Sequence, residues 1–341
     1  MTTTTDRAGD GRPMWVQLGF DYPWKPHVAQ TYRVTQLYDE LKALGLQENI
    51  ADLAVKGYTV IPPEKVAPPE FIRKLRDKVL EVSARRTGIE PDVERGSTHQ
   101  GGLHPLGQFM RYVLFEDPVF EPVLTNPVLL GLITYLVGPD ALLSLNDAMV
   151  KGPGAVALPI HNDNGDKTTA VYADQPQTAN INLLLSDYGP GSGSIAFLPG
   201  SHHYRREPTP EELEHLVDIM EPVVAPAGSA IIWPANTWHM ALPRTDPGLR
   251  LTLLYDFCRG HLQTQSPFRA DVTSEILERN PARFAQLMHV HGVFPFRQED
   301  ISPEHRDESA ARHSLFDTVL LWREFFSLDD IRKGSGGPGA A

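Results

Sequence analysis

Of the 13 histidines in this chain, His161 and His239 stand where they can do metal chemistry. In an extended segment the side chains of residues i and i+2 share a face, so His161-Asn162-Asp163 aims an imidazole and a carboxylate at one point. His239 follows 76 residues after Asp163, behind the apolar run Ala230-Ile231-Ile232-Trp233-Pro234. Two imidazoles and one carboxylate form the facial ligand set that leaves three positions open on iron(II), as in non-haem oxygenases. A single His-x-Asp pair can arise by accident, and a lone histidine after a strand is more often structural. The weight comes from what accompanies them.

Arg250 lies eleven residues beyond His239, across a turn of Pro243-Arg244-Thr245-Asp246-Pro247-Gly248. If the flanking segments form an antiparallel hairpin, its midpoint near Thr245 sets His239 and Arg250 roughly opposite each other. A permanently charged guanidinium beside an iron site suits a bidentate clamp on the distal carboxylate of a dicarboxylate cosubstrate. Thr252 shares the inward face with Arg250 and would offer its hydroxyl to the same carboxylate. No residue outside the metal centre is assigned a catalytic role. The ligands must be neutral imidazoles and an ionised Asp163, so metal affinity is expected to fall in acid. Two alternatives stay open: a metal-dependent hydrolase or isomerase on a cupin-like barrel, which has no need of Arg250, and a catalytically silent binding barrel, which has no need of the triad.

The elements that position these residues read as helices first and strands afterwards. Leu37, Leu41 and Leu44 carry helical spacing that ends near Gly45, and Gly57 to Ile61 reads as a short strand stopped by Pro62-Pro63. A helix is expected from Pro69 to Arg86 with Ile72, Leu75, Val79 and Val82 on one stripe. Thr87 to Gln108 reads as a long loop, either a binding segment or a plain connection. Asn126, Pro127 and Gly138 bracket a very apolar helix. Then come short β-rich runs over Leu142–Val150, Ala179–Leu185, Ile195–Leu198, Val223–Ala225, Ala230–Pro234 and Leu249–Phe257. Their Pro/Gly punctuation and lack of βαβ alternation exclude a doubly wound fold and predict a mainly β barrel or sandwich with packed helices. Further helices are expected over Thr273–Met288, broken at Pro281, and over Ser314–Phe326.

Composition bounds the rest. The chain has 341 residues, which reads as a disordered N-terminus over 1–12, one domain over 13–333 and a flexible tail over 334–341. The aromatic stretch Trp15 to Trp24 reads as an arm packed on the body. A formal net charge of −12 without a basic cluster argues against nucleic acid or an anionic membrane as partner. The longest apolar run, Leu129 to Val137, is far short of the roughly 20 residues a spanning helix needs. The single Cys258 and the absence of a signal-like start point to the cytoplasm. A small-molecule substrate is the expected partner.

The ordered set His161-x-Asp163, then Gly193-Ser194-Ile195-Ala196-Phe197-Leu198-Pro199-Gly200-Ser201-His202, then Trp238-His239 and Arg250, resembles the phytanoyl-CoA dioxygenase family of iron(II)/2-oxoglutarate oxygenases. The resemblance covers about Gly57 to Gly260. It implies a double-stranded β-helix, of the jelly-roll or cupin-like kind, with helices packed on one side. It implies Fe(II) held by His161, Asp163 and His239, with 2-oxoglutarate and O₂ as cosubstrates. Arg250 would bind the C5 carboxylate, and Asn182 sits where the family commonly has a side chain touching the cosubstrate. His202 belongs to the motif as a loop-fixing residue. The implied reaction is oxidation of a C–H bond, foremost hydroxylation, with succinate and CO₂ as co-products.

Overall fold

The computed structural model describes residues 34–96, 107–164 and 170–290. The aromatic arm, residues 97–106 of the expected loop, the turn at Gly165-Asp166, the helix expected over Ser314–Phe326 and both expected tails lie outside the described residues.

Among the described residues, four helices of more than one turn precede the main run of strands: α1 (Val34–Ala43), α2 (Gln47–Val55), α3 (Pro69–Thr87) and α4 (Pro127–Val137). The Asn126 side chain accepts from the backbone N–H groups of Val128 and Leu129, Pro127 opens α4 and Gly138 closes it, as the sequence predicts. α4 is apolar on nearly every side because α1 packs on one side of it and the large sheet on the other, leaving only Tyr135 exposed. Burying side chains such as Leu132 and Ile133, both fully excluded from solvent, contributes about 1.5–3 kcal/mol each. No single helix among the described residues is long and apolar enough to cross a membrane. α2 was not foreseen, since its buried positions, Asn49 and Leu53, make no apolar stripe.

The strands are β1 (Thr59–Ile61), β2 (Gln108–Arg111), β3 (Leu142–Lys151), β4 (Leu158–His161), β5 (Thr178–Leu184), β6 (Ile195–Phe197), β7 (Glu221–Pro222), β8 (Ala230–Pro234), β9 (His239–Ala241) and β10 (Arg250–Cys258). They form a six-stranded sheet in the order β1-β8-β5-β10-β3-β2 and a four-stranded sheet in the order β4-β9-β6-β7. All pairings are antiparallel. This is the double-stranded β-helix that the sequence implies. The period-2 rule places the core. On β10, Leu251, Leu253, Tyr255 and Phe257 join the cluster beneath the helices, which leaves Arg250, Thr252, Leu254 and Asp256 for the face toward the small sheet. On the small sheet Ile160, Ala196 and Met240 point outward into a cluster with Leu216 and Trp238, so His161, Phe197 and His239 point in.

Two expectations fail. His239 and Arg250 do not face each other across a hairpin: β9 pairs with β4 and β6, whereas both edges of β10 are taken by β3 and β5. The connection between them crosses from one sheet to the other, and two prolines deprive it of ladder donors. Arg244 pins it by donating to the carbonyls of Ser192, Pro247 and Gly248. The strand expected at Val223–Ala225 lies two residues earlier, at Glu221–Pro222, and Ala225 makes a lone bridge to Tyr188. A short helix, α5 (Pro210–Leu216), was also missed, although Thr209 and Glu212 form a complete capping box. Pro281 splits α6 (Ser274–Arg279) from α7 (Ala282–Leu287) as expected.

Candidate metal centre

His161 ends β4 and His239 begins β9, and the two are register partners. Their rings lie 4.3 Å apart between centroids. Each is fixed by its own backbone two residues back: Nδ1 of His161 stands 2.7 Å from the Pro159 carbonyl, and Nδ1 of His239 stands 3.0 Å from that of Thr237. A carbonyl only accepts, so Nδ1 carries the hydrogen in both rings and Nε2 is the lone-pair nitrogen of the neutral form. Both Nε2 atoms aim at Asp163, at 3.5 Å from Oδ1 for His161 and 3.3 Å from Oδ2 for His239. Asp163 lies just past the end of β4, and its N–H donates to the Ala235 carbonyl at 2.8 Å.

The three ligand atoms fall within 4.8 Å of one another. Neighbouring ligands on a first-row metal at about 2.1 Å stand about 3 Å apart, so this set needs only small adjustments to close on an ion. Two imidazole lone pairs facing a carboxylate require positive charge between them, either protons or a divalent cation. Burial by itself would raise the Asp163 carboxyl, but the His239 and His161 rings beside it hold it well below the usual carboxylate range. The donor set therefore fits iron.

A residue that the sequence reading missed completes the centre. Asn180 on β5 donates from Nδ2 to Asp163 Oδ2 at 2.8 Å, reaching across from the large sheet to orient the carboxylate. Its signal was present: Asn180-Ile181-Asn182 puts two amides on alternate positions of an otherwise apolar strand.

The triad opens on a cavity of about 880 Å³ that Arg250 and Asn182 also line. Arg250 is buried. Its Nη1 donates to the Gly193 carbonyl and its Nη2 touches the Met149 sulfur at 3.0 Å, while the guanidinium sits 5.0 Å from the Tyr188 ring centre. Nε of Arg250 and Oδ1 of Asn182 have no hydrogen-bond partner, although both are buried. Orphaned polar atoms of this kind are costly and mark a place where a polar ligand fits. Thr252 is different: it does not line the cavity, and its hydroxyl stands 2.5 Å from that of Tyr188. The cavity wall also carries Phe109, Leu145 and Leu254 beside Ser144, Gln265 and Asp256. Burial pushes the Asp256 carboxyl up to about 7; a hydrogen bond from Ser144 opposes that shift and the Asp163 charge adds to it.

The Pro199-Gly200-Ser201-His202 element acts at one remove. Gly200 N–H donates to the Lys56 carbonyl and the Ser201 hydroxyl accepts from the Trp238 N–H. The His202 ring packs against Gly57, and burial lowers its imidazole to about 4, so it is a neutral packing group. The turn therefore fixes Thr237 and Trp238, and through the Thr237 carbonyl it fixes the ring of His239.

A family model described as phytanoyl-CoA dioxygenase matches residues 53–251, more than half of the chain. A curated relative, dioxygenase af480 of Aspergillus fumigatus, is 24% identical over 174 residues, covering 50% of this chain and 55% of its own. The chain thus spans about half the length of that relative. Among solved structures, HygX from Streptomyces hygroscopicus with nickel and 2-oxoglutarate bound superposes with a TM-score of 0.50 at 19% identity, covering 64% of this chain and 88% of HygX. EvdMO1 gives a TM-score of 0.50 at 20% identity, over 63% of this chain and 50% of its own. At these identities the two structures support the fold.

Proposed function

The chain belongs to the phytanoyl-CoA dioxygenase family, and from that premise we propose that it is an iron(II)- and 2-oxoglutarate-dependent dioxygenase that hydroxylates a C–H bond of a small organic molecule. The observation that supports this best is the convergence of His161, Asp163 and His239 on one point of a cavity that also holds a buried arginine, Arg250. A hydrolase using the same ligands has no use for Arg250. The balance is one substrate, one O₂ and one 2-oxoglutarate giving alcohol, succinate and CO₂. Iron supplies the activation of O₂ that couples the decarboxylation to the C–H oxidation.

The protein's own part is to bind, orient and exclude water. The Pro159 and Thr237 carbonyls keep both imidazoles in the Nδ1–H form, and Asn180 holds the Asp163 carboxylate toward them. Arg250 receives the distal carboxylate of 2-oxoglutarate, and Asn182, which lines the same cavity, offers an amide N–H beside it. The remaining wall holds the substrate carbon near the metal, which need not bind the substrate itself. HygX, of matching fold, has nickel and 2-oxoglutarate bound.

The test is turnover of 2-oxoglutarate to succinate by the purified protein with iron(II), with and without candidate substrates. Iron-dependent succinate is the expected result. His161→Ala, Asp163→Ala and His239→Ala should each abolish it while the protein stays folded, because the barrel is held by its own core. Near-normal turnover in any folded one of the three would remove that residue from the centre.

A further inference from the structure

Behind Arg250 the barrel holds more positive charge than one carboxylate clamp requires. Lys151, the last residue of β3, is the register partner of Arg250 and shares its strand face with Met149, whose sulfur touches the guanidinium. It is 1% exposed, and its Nζ donates to the Leu242 carbonyl at 2.6 Å. Arg244 completes the group, also buried, with its guanidinium donating only to carbonyls. Among the described residues none of the three forms an ion pair with a carboxylate. In a chain of net charge −12, a buried trio of basic residues with no ion-paired carboxylate among the described residues is a site prepared for an anion.

Like charges opposite each other on neighbouring strands repel. Guanidinium cannot relieve that by deprotonating, whereas an amine can. We propose that Lys151 is a second cation of the 2-oxoglutarate site, neutral when it faces the two arginines alone and protonated when the distal carboxylate docks at Arg250. The inference rests on the cosubstrate reading above. Burial pushes the Lys151 ammonium down to about 7, and Arg250 of β10 and Arg244 of the 242–249 connection push it the same way. Asp246 acts on Arg244 in the opposite sense. The balance is one amine plus one proton from the buffer giving one ammonium, with the docked dianion as counter-charge. The bond to Leu242 survives in both forms, since –NH₂ and –NH₃⁺ both donate. Lys151 lies behind the cavity wall, not on it, so it is a positioning residue that acts through charge.

The experiment is calorimetric titration of 2-oxoglutarate into the whole protein loaded with nickel(II), in two buffers of different ionisation enthalpy. The wild type should take up close to one proton per site at pH 8.5 and clearly less at pH 6.5, and its Kd should rise with pH over the same range. Lys151→Met should still bind through Arg250 but lose that uptake and that slope. Binding by the wild type without proton uptake at pH 8.5 overturns the inference alone, and this arm needs no variant to fold. Uptake unchanged in Lys151→Met also overturns it, because the proton then goes elsewhere. Absence of any binding heat in the nickel-loaded wild type overturns the cosubstrate reading and the inference together.

Discussion

At the scale of single residues, the side chains with rare chemistry were legible and those that support them were not. His161, Asp163, His239 and Arg250 could be picked out by type and spacing, and the structure brings all four to one cavity. Asn180 was passed over although it shares an amide pattern with Asn182, and Tyr188, in the connection after β5, carried no signal, because one amide or one phenol is commonplace until its neighbour across the barrel is known. Asn180→Ala tests the first: losing the 2.8 Å bond to Asp163 should weaken metal binding by about 10- to 100-fold, measured by metal titration, with the melting temperature little changed. Unaltered metal affinity would show that the carboxylate orients itself. Arg250→Ala should leave metal binding intact and weaken 2-oxoglutarate by about 2–5 kcal/mol, since the distal carboxylate then lies buried without its charge partner. Titration of the metal-loaded variant decides it, and wild-type affinity would take Arg250 out of the site.

At the scale of elements, local signals succeeded and pairing failed. The cap of α4 and the apolar runs of β3, β5, β8 and β10 are written in neighbouring residues. The assignment of β9 and β10 to different sheets depends on strands far away in the chain. The motif turn at Gly200–His202 shows how such distant contacts reach the centre: Thr237 Oγ1 donates to the Gly57 carbonyl at 2.7 Å, and Gly57 has a φ of +79° with the His202 ring where a side chain would go. Gly57→Ala should therefore cost at least about 1–2 kcal/mol from its backbone alone and also weaken metal binding, by displacing the turn that sets Thr237 and His239. Asn126→Ala is the matched control. It removes the α4 cap bonds, costs about 1 kcal/mol and should leave metal affinity unchanged. Urea midpoints and metal titrations on both variants separate the effects; equal metal affinities would detach the turn from the centre.

At the scale of the whole molecule, the division of labour between the sheets has a thermodynamic consequence. The candidate metal ligands His161 and His239 stand on the small sheet with Asp163 just beyond β4, whereas Arg250, Asn182 and Asn180 stand on the large sheet. A cosubstrate that chelates the metal at one end and meets Arg250 at the other therefore ties the two sheets together, and only when both ends are held. Each ligand at about 100 times its Kd stabilises the folded state by about 2.7 kcal/mol, which for a domain of this size raises the melting temperature by about 5–10 °C. Nickel(II) alone should produce such a shift. 2-Oxoglutarate should add a second one in the presence of nickel, but little in its absence, in His239→Ala or in Arg250→Ala. The measurement is a set of thermal scans over these five conditions. A 2-oxoglutarate shift of the same size without metal would mean that the anion binds the large sheet independently, and the two sheets would then carry separate sites, not one.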